Sequence, residues 1–395
     1  MTMYNVGIDV AAFYTPHYFL DLKTLAEARG VEADKFYIGL GQHQMSVPAP
    51  DESVVTMGAN AAQEVLKHTD INDIEMLLFA TESGVDYSKA AGIYVHQLLN
   101  LNSRCRVLEL KQACYSSTGA IRLGLNFLQQ YPTKKVLVIA SDIARYGLNT
   151  PGESSQGAGA VALLLSVNPR LLTIDPEAGF YTEDTMDFWR PHYRDEALVE
   201  GKYSCELYLK CLEKTWAYYQ EVTGRAFSSF SRVCYHVPLP RLAEKAHHKL
   251  TSLNSENRVS SDITNHQMHE ALQYNRVVGN CYTGSLYLSL LSLLDHASND
   301  LSDKRLGFYS YGSGCVAEFF SGTVRPGYRA VLNTVYHQTI IKKRQELSQT
   351  EYEAFYSFRY PQDGSRVEVP HYHSGVYRLS AIDKHKPIYE KILTS

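Results

Sequence analysis

The sequence predicts an α/β fold in which buried strands alternate with helices. Two patterns indicate it: apolar runs of strand length recur along the chain, and segments of helix length lie between them. Size and composition agree, because 395 residues with 45% hydrophobic and 20% charged residues can bury a sizeable core. Runs that are apolar throughout suit strands covered on both faces, so we expect the sheets to be internal.

The predicted elements alternate along the chain. Strands are expected at IEMLLFAT (74–81), RVLEL (106–110), KVLVIAS (135–141), AVALLLSV (160–167), RVCYHVPL (232–239) and RLGFYS (305–310). Helices are expected at 87–99, 115–130 and 280–297. The leucines of the last helix recur on one face and predict a stripe that faces the core rather than a partner. They are Leu286, Leu290, Leu293 and Leu294.

Charge and hydropathy exclude two classes of partner. The formal net charge is −4, and Lys and Arg are spread along the chain, so we expect no nucleic acid partner. No stretch reaches the roughly 20 consecutive apolar residues of a membrane span. The first residues lack a basic segment followed by an apolar run. These features predict a cytoplasmic protein without membrane contact.

Cysteines and histidines predict neither a disulfide framework nor a metal site. Seven cysteines are an odd number, and no CxxC pair occurs. Cys205 and Cys211 have no histidine at ligand spacing and are expected to be small buried side chains. The histidines that fit no closed metal site and are expected at the surface are His247, His248, His371 and His373.

Three apolar strands run out into short segments that each carry a reactive side chain, which is where sheet-based enzymes place catalysis. Glu82 follows the first predicted strand, and His236 lies near the end of the run RVCYHVPL. Taken singly, a loop carboxylate and a structural histidine are the usual interpretations. Together with Cys114 they supply a nucleophile and two acid/base groups, which suffice for acyl transfer followed by carbon–carbon bond formation.

Cys114 stands between a strand and a helix in LELKQACYSSTGA. A cysteine at a helix N-terminus lies near the positive end of the dipole and near free N–H groups, which stabilise a thiolate. The small residues from Ser116 to Ala120 leave room for a substrate beside the sulfur. A cysteine that only packs is the alternative interpretation.

Ser313 lies between Gly312 and Gly314 in YSYGSGCVAEFF, between two apolar runs. The glycines permit a tight backbone path that points N–H groups at an oxyanion. A plain β-hairpin turn explains the same residues.

These segments resemble the hydroxymethylglutaryl-CoA synthase family over nearly the whole chain. The resemblance extends from VGIDVAAFYTP and KFYIGLGQHQMSV near the start to SYGSGCVAEFFSGTV near the end. The matching motifs, in the family's order and at about its spacing, are TESGVDYSKAA, KQACYSSTGA, SDIARYGLNTPGESSQGAGAVALLLS, DFWRP, YHVP, GNCYTGSLYLSL and SYGSG.

The resemblance implies the thiolase fold, two similar α/β halves stacked as five layers. On that basis residues 1–170 form an N-terminal half with Glu82 and Cys114, and residues 171–395 form a C-terminal half with His236, Asn280 and Ser313. It also implies a homodimer.

Roles carry over by motif. The resemblance implies that Cys114 accepts acetyl from acetyl-CoA, that Glu82 deprotonates the acetyl methyl group, and that His236 orients and polarises a ketoacyl thioester. Further residues are implied as substrate contacts: Asn280 and Ser313 around the second acyl group, and Tyr146 and Asp187 near the acetyl pocket. Lys245 is a candidate contact for a CoA phosphate, with an exposed helical lysine as the alternative. No metal, nucleotide or redox cofactor is implied.

The acceptor is less well defined. KQACY in place of KEACY, and YHVPLPRL without an FTKM-type continuation, depart from the commonest mevalonate-pathway pattern. The stretch SRCRVLEL resembles synthases that install β-branches on polyketides from acyl-carrier-protein thioesters. GNCYTGSLYLSL, DFWRP and GLGQHQMSV resemble the mevalonate-pathway enzymes of isoprenoid synthesis, whose acceptor is acetoacetyl-CoA. The mevalonate role is the expected one. A third interpretation is a catalytically silent thiolase-fold scaffold that only binds an acyl carrier or partner. It is disfavoured because such a scaffold would not need Glu82, Cys114 and His236 together.

Overall fold

The computed structural model describes residues 3–254, 261–372 and 375–392. The strands are β1 Val6–Tyr14, β2 Tyr18–Asp21, β3 Gln44–Val47, β4 Ile74–Ala80, β5 Arg106–Leu110, β6 Lys135–Ala144, β7 Gly157–Val167, β8 Leu172–Thr182, β9 Phe188–Trp189, β10 Leu198–Val199, β11 Arg232–Tyr235, β12 Arg305–Gly312, β13 Val316–Val324, β14 Gln345–Glu346, β15 Val367–Glu368, β16 Tyr377–Asp383 and β17 Lys386–Lys391. The helices are α1 Leu22–Arg29, α2 Asp34–Tyr37, α3 Val54–Leu66, α4 Ala91–Leu98, α5 Ser116–Gln130, α6 Gly201–Thr223, α7 Pro240–Leu253, α8 Ser261–Val278, α9 Ser285–His296, α10 Thr334–Lys342 and α11 Gln349–Ser357.

A mixed sheet forms the centre of the molecule. Its strand order is β11-β12-β13-β8-β1-β7-β6-β4-β5. Strands β4, β5 and β6 are mutually parallel, as are β11 and β12, whereas the strands between these two groups run antiparallel to their neighbours. Strands from the first 167 residues lie on one side of the β8–β1 pairing, and those that begin at Leu172 or later lie on the other.

Helices cover the sheet because its strands are apolar on both faces. Helix α3 packs on β1, β6 and β7, and α6 packs on β8 and β13. Helix α5 packs on β4, β6 and β7, and Thr118 on this helix bonds to Ser310 of β12 and Tyr287 of α9. These bonds join the two sides of the sheet through α5, whose N-terminus follows Cys114.

The end of the described chain returns to the first side of the sheet. Strand β14 pairs with β2, α10 packs on β1, and β16 packs on α3. Val376 donates its N–H to Asn60 Oδ1 at 2.8 Å, and Leu379 donates to the carbonyl of Asp51. Residues after 333 therefore pack on the first side of the sheet, with β16 on α3, rather than extend the second side.

The predicted strands are confirmed, with adjusted ends. The run at 232–239 forms a strand only to Tyr235, since Pro238 and Pro240 lack the N–H that a ladder needs. The helix at 115–130 is confirmed as α5, whereas the helix expected at 87–99 begins at Ala91 and that at 280–297 begins at Ser285. The four leucines of α9 are buried, as predicted.

One surface expectation is wrong. His247 is buried and forms a 2.9 Å hydrogen bond between its Nδ1 and the hydroxyl of Tyr235. It lies on the inward face of α7, whereas His248, the next residue, is exposed like His371. His373 lies outside the described residues. Within the described ranges, no helix is long and apolar enough to cross a membrane.

Candidate active site

The candidate site lies at the edge of the sheet where parallel strands end. Strands β4 and β5 are parallel and end at Ala80 and Leu110. Glu82 follows the first of these ends and Cys114 follows the second, so the topology brings both side chains to one edge. Their reactive groups meet: the Cys114 thiol donates to Glu82 Oε1 at a distance of 2.8 Å.

A buried carboxylate, Asp142, fixes the backbone around Glu82. It follows the predicted strand KVLVIAS and lies within β6. Its Oδ1 accepts from the N–H of Glu82 at 2.8 Å and from the hydroxyls of Thr81 and Ser83 at 2.9 and 2.8 Å. Its Oδ2 accepts from the N–H and the hydroxyl of Thr283. These bonds tie the loop after β4 to the segment before α9.

Electrostatics of the pair favour its protonated forms. Burial and the neighbouring Asp142 carboxylate raise the pKa of Glu82 to about 8. Burial and the charge of Glu82 raise the pKa of Cys114 well above its usual value. The expected thiolate at the start of α5 is therefore wrong for this arrangement. The raised pKa favours the thiol form of Cys114, which donates its hydrogen bond to Glu82 Oε1, 2.8 Å away.

Three residues that sequence reasoning did not single out line this pair. Asp142 stands directly after a predicted strand, the same signal that identified Glu82. The guanidinium of Arg190, in DFWRP, donates to the carbonyl of Glu82. Tyr282 is 1% exposed, and in the described part of the chain its hydroxyl has no hydrogen-bond partner.

Tyr146 lies in an aromatic wall beside these residues. Phe188 contacts the ring of Tyr146 at a centroid distance of 6.2 Å and that of Tyr282 at 5.7 Å. Burial raises the pKa of Tyr146, so its hydroxyl stays neutral. The N–H of Tyr146 donates to Gln156 Oε1 at 2.8 Å, which fixes the backbone that carries the ring.

His236 follows β11 and is 2% exposed. Its N–H donates to the carbonyl of Tyr309 on β12 at 2.7 Å, and its own carbonyl accepts from Tyr208 at 2.7 Å. Burial lowers the pKa of His236 to about 3, so the ring is neutral. Its Nδ1 is buried and has no partner among the described residues. A buried nitrogen without a partner costs about 1–3 kcal/mol, which a bound substrate can recover.

Ser313 lies beside the segment that carries Cys114. At Gly312 a Cβ atom would stand 2.6 Å from both the carbonyl oxygen of Gln112 and the nitrogen of Tyr115, so only glycine permits this close approach. The side-chain amide of Gln112 donates to the carbonyl of Ser313 at 3.2 Å. The turn that carries Ser313 is thereby held against the segment that carries Cys114.

Asp187 holds the other side of the Ser313 turn. It is fully buried and accepts from the N–H of Gly314 at 2.9 Å and from the hydroxyls of Tyr311 and Ser204 at 2.7 and 3.0 Å. Its Oδ1 also accepts from the hydroxyl of Thr185 at 3.4 Å, and among the described hydrogen bonds its carboxylate has none with Cys114. The structure thus connects Asp187 to the site through Ser313.

Asn280 and Lys245 differ in their surroundings. Asn280 is buried, and its Oδ1 accepts from the N–H of Tyr282 at 2.9 Å and from Ser285 at 3.0 Å. Because the oxygen is used locally, the amide nitrogen is the group left for a substrate carbonyl. Lys245 is exposed on α7, and the described residues show no hydrogen bond or ion pair that joins it to the other candidates.

The arrangement supplies the groups for acyl chemistry on carbon. It holds a thiol sulfur against a carboxyl group with a raised pKa. A neutral imidazole with an unused nitrogen follows β11, which belongs to the second group of parallel strands, at the other end of the sheet order. All seven cysteines are free thiols. Only Cys114 among them donates to a carboxylate in the described structure.

Comparisons with known proteins match most of the chain. The family described as Hydroxymethylglutaryl-coenzyme A synthase N terminal matches residues 2–170, and the one described as Hydroxymethylglutaryl-coenzyme A synthase C terminal matches residues 253–391. The chain is 40% identical to the hydroxymethylglutaryl-CoA synthase of Enterococcus faecalis over 353 residues, 89% of this chain and 92% of that protein.

Two further comparisons extend this result. A crystal structure of HMG-CoA synthase complexed with CoA matches with a TM-score of 0.93 and 39% identity, covering 98% of this chain and 100% of that one. The likeness confirms the expected thiolase-like fold. A polyketide-biosynthesis 3-hydroxy-3-methylglutaryl-ACP synthase of Bacillus subtilis (strain 168) is 35% identical over 374 residues, 90% of this chain and 88% of that protein.

Proposed function

The chain belongs to the hydroxymethylglutaryl-CoA synthase family of acyl-transferring condensing enzymes, and on this basis we propose that it makes 3-hydroxy-3-methylglutaryl-CoA from acetyl-CoA and acetoacetyl-CoA. The observation that carries the proposal is the 2.8 Å hydrogen bond from the Cys114 thiol to Glu82. The Glu82 carboxylate can then take the proton of the Cys114 thiol and, after acylation, a proton from the methyl carbon of the acetyl group that the sulfur carries.

The first step transfers acetyl to Cys114. The thiol proton moves to Glu82, the sulfur attacks the thioester carbonyl, and the CoA thiolate leaves and takes the proton from Glu82. The raised pKa of Glu82, about 8, suits this exchange because it lies close to that of an ordinary thiol. Glu82 is ionised again at the end of the step.

The second step forms the carbon–carbon bond. Ionised Glu82 removes a proton from the methyl of acetyl-Cys114, and the resulting enolate carbon attacks the ketone of acetoacetyl-CoA. Neutral His236 donates a hydrogen bond to that ketone as its oxygen gains charge, and the proton held by Glu82 completes the new hydroxyl. Water then hydrolyses the thioester and frees Cys114.

The remaining candidates are proposed as substrate contacts. The amide nitrogen of Asn280 and the Ser313 turn bind the acceptor, Tyr146 forms a wall of the acetyl pocket, and Asp187 fixes the Ser313 turn. Lys245 is proposed to reach a CoA phosphate, since its exposed position on α7 leaves the ammonium free to move.

The proposed pathway is the mevalonate route of isoprenoid synthesis. The motifs GNCYTGSLYLSL and DFWRP support it, as does the likeness to the Enterococcus faecalis enzyme. A second candidate is condensation on carrier-protein-bound ketoacyl thioesters. SRCRVLELKQACY and the likeness to the Bacillus subtilis 3-hydroxy-3-methylglutaryl-ACP synthase favour it.

The test compares kcat/KM for the same acetoacetyl group on CoA and on an acyl carrier protein, with acetyl donors varied in the same way. A CoA-adapted pocket recognises nucleotide and pantetheine by itself, whereas a carrier-adapted one gains affinity from a protein surface. We expect efficient turnover of acetoacetyl-CoA without any carrier. Negligible turnover of acetoacetyl-CoA beside rapid turnover of the carrier-borne acceptor would refute the mevalonate assignment and support the second candidate.

We further propose that the enzyme is a cytoplasmic homodimer whose chain divides into halves near residue 170. The order of the central sheet supports the division, because strands from before and after this point lie on opposite sides of the β8–β1 pairing. Strand β5 supports the dimer, because it is the edge of the sheet and Leu108 on it is 57% exposed. An exposed edge with an apolar side chain favours pairing with another strand.

A further inference from the structure

A partly buried network of hydrogen bonds connects the residue after Cys114 to strand β13, on the second side of the sheet. The hydroxyl of Tyr115 donates to Glu318 Oε2 at 2.7 Å, and the guanidinium of Arg122 donates to Glu318 Oε1 at 2.6 Å. Glu318 lies on β13 and is 4% exposed. The proposed chemistry assigns no role to these three residues.

Arg122 fixes the end of this hydrogen-bonded network that is remote from Cys114. Arg122 follows Tyr115 by two turns of α5 and also donates to the carbonyl of Asp175 on β8 at 2.9 Å. Its guanidinium lies over the ring of Phe320, 5.0 Å from the centroid. Arg122 is thus the ion-pair partner of the buried Glu318 carboxyl group, 2.6 Å from its Oε1.

Tyr115 transmits this anchoring to the nucleophile. It is the residue after Cys114 and immediately precedes α5. Burial and the Glu318 carboxylate raise the pKa of Tyr115, so its hydroxyl remains a donor. Its backbone nitrogen lies against Gly312, whose Cβ position would be 2.6 Å away. The β12–β13 hairpin thus holds Tyr115 at two points, one at each strand.

The nucleophile segment needs such support because its backbone is strained. Ala113, the residue before Cys114, has a φ of +42°, a conformation that residues other than glycine seldom adopt. Strain of this kind persists only when surrounding contacts hold it. Tyr115 provides a contact of this kind directly after the cysteine.

From these contacts we infer that Glu318 is a positioning residue that, through Tyr115, sets the place of Cys114 against Glu82 and the Ser313 turn. The inference rests on the proposed function, because it takes Cys114 as the acetyl carrier. Glu318 itself touches neither substrate nor the sulfur. Its effect is on the geometry of attack, to which rates respond by as much as 100-fold for a shift of about 1 Å.

The test measures the rate at which acetyl-CoA acetylates Cys114 in Glu318→Gln, Tyr115→Phe and the double variant, normalised to folded protein. Each single variant should acetylate on the order of 10- to 100-fold more slowly at saturation, with little change in the half-saturating acetyl-CoA concentration. The double variant should be no slower than the slower single one, because both changes break one link. Tyr115→Phe leaves the Arg122–Glu318 pair intact and so tests the link even if Glu318→Gln folds poorly.

Tyr274→Phe is the matched control. Tyr274 also donates a 2.7 Å hydrogen bond to a buried carboxylate, Asp295, but that pair lies away from the Cys114 segment. Its acetylation rate should equal that of the unmodified protein. Unchanged rates in both Tyr115→Phe and folded Glu318→Gln, or additive losses in the double variant, would overturn the inference alone. An unmodified protein that never acetylates Cys114 would overturn the proposed function as well.

Discussion

The chemistry of Cys114 is decided by its neighbours rather than by the helix that follows it. The end of a helix contributes typically 0.3–1 kcal/mol to a nearby charge. Loss of solvent and a neighbouring like charge together can shift a pKa by several units, and one unit corresponds to about 1.4 kcal/mol. Burial and the Glu82 carboxylate therefore outweigh α5, and the sulfur is held as a thiol. The sequence predicted the two residues but could not predict their 2.8 Å contact.

Glu82→Gln should separate the two steps of the reaction. Acetylation should slow, and condensation should slow much further, by roughly 10³-fold or more, because a thioester α-carbon is a far weaker acid than a thiol. Single-turnover assays with acetyl-CoA alone and then with acetoacetyl-CoA measure the two rates. Glu52→Gln is the control, since Glu52 is a buried glutamate with a pKa also raised to about 8 that bonds to Tyr14. Condensation at the normal rate in Glu82→Gln would exclude Glu82 as the base.

The pH dependence follows from the same pair. Glu82 acts as a base only when ionised, and burial together with Asp142 raises its pKa to about 8. The kcat/KM for acetyl-CoA should therefore rise about tenfold per pH unit below 8 and level off above it. His236, with a pKa of about 3, stays neutral across this range and therefore adds no second slope to the pH profile of kcat/KM. A rise centred near pH 4–5, the range of an ordinary carboxyl group, would contradict the environment described for Glu82.

At the scale of elements, the apolar runs predicted the strands that carry the site. The residues at which these strands end could be located only in the structure. IEMLLFAT and RVLEL form β4 and β5 almost as expected. Helix α3 could not be predicted from a periodic pattern of polar and apolar residues. It lies between the central sheet and β16, so it is buried on nearly all sides and lacks a clear polar face. The helix expected at 87–99 begins only at Ala91, because residues 87–90 still belong to the loop that carries Glu82.

The β12–β13 hairpin should be sensitive at Gly312. A methyl group there would stand 2.6 Å from backbone atoms of Gln112 and Tyr115. Gly312→Ala should lower the free energy of unfolding by about 1–3 kcal/mol and slow acetylation of Cys114, because the nucleophile segment must shift. Gly201→Ala is the control, since no atom lies within 4 Å of that Cβ position. Normal stability and rate in Gly312→Ala would contradict the close approach.

At the scale of the molecule, the alternation of strands and helices predicted the fold class, and the family resemblance predicted the architecture. The alternation could not show that residues after 333 return to the first side of the sheet, where β16 packs on α3, because this packing depends on contacts such as that between Val376 and Asn60, which are 316 residues apart. The motifs placed Glu82 and Cys114 in one site. The polar network centred on Asp142, which ties the loop that carries Glu82 to the segment before α9, depends on side chains from three segments and appears only in the folded chain.

The proposed dimer should depend on the sheet edge. Sedimentation should give a mass of twice the chain mass of 44.5 kDa, and Leu108→Asp should shift the equilibrium toward monomer, because it places a charge on an exposed apolar edge. Val335→Asp, at an 80% exposed position on α10, should leave the mass unchanged. A Leu108→Asp protein with the dimer mass at low concentration would exclude β5 as the interface.

The most direct test of the proposed chemistry is to follow the acyl group on Cys114. Intact-protein mass spectrometry after mixing with acetyl-CoA should show one acetyl group, located on Cys114 by peptide mapping. Addition of acetoacetyl-CoA alone to the isolated acetyl-enzyme should then discharge that group and release one equivalent of 3-hydroxy-3-methylglutaryl-CoA. Cys114→Ser should give neither adduct nor product. An acetyl group on another residue, or product formation at the normal rate by Cys114→Ser, would contradict the proposed role of Cys114 and the mechanism built on its contact with Glu82.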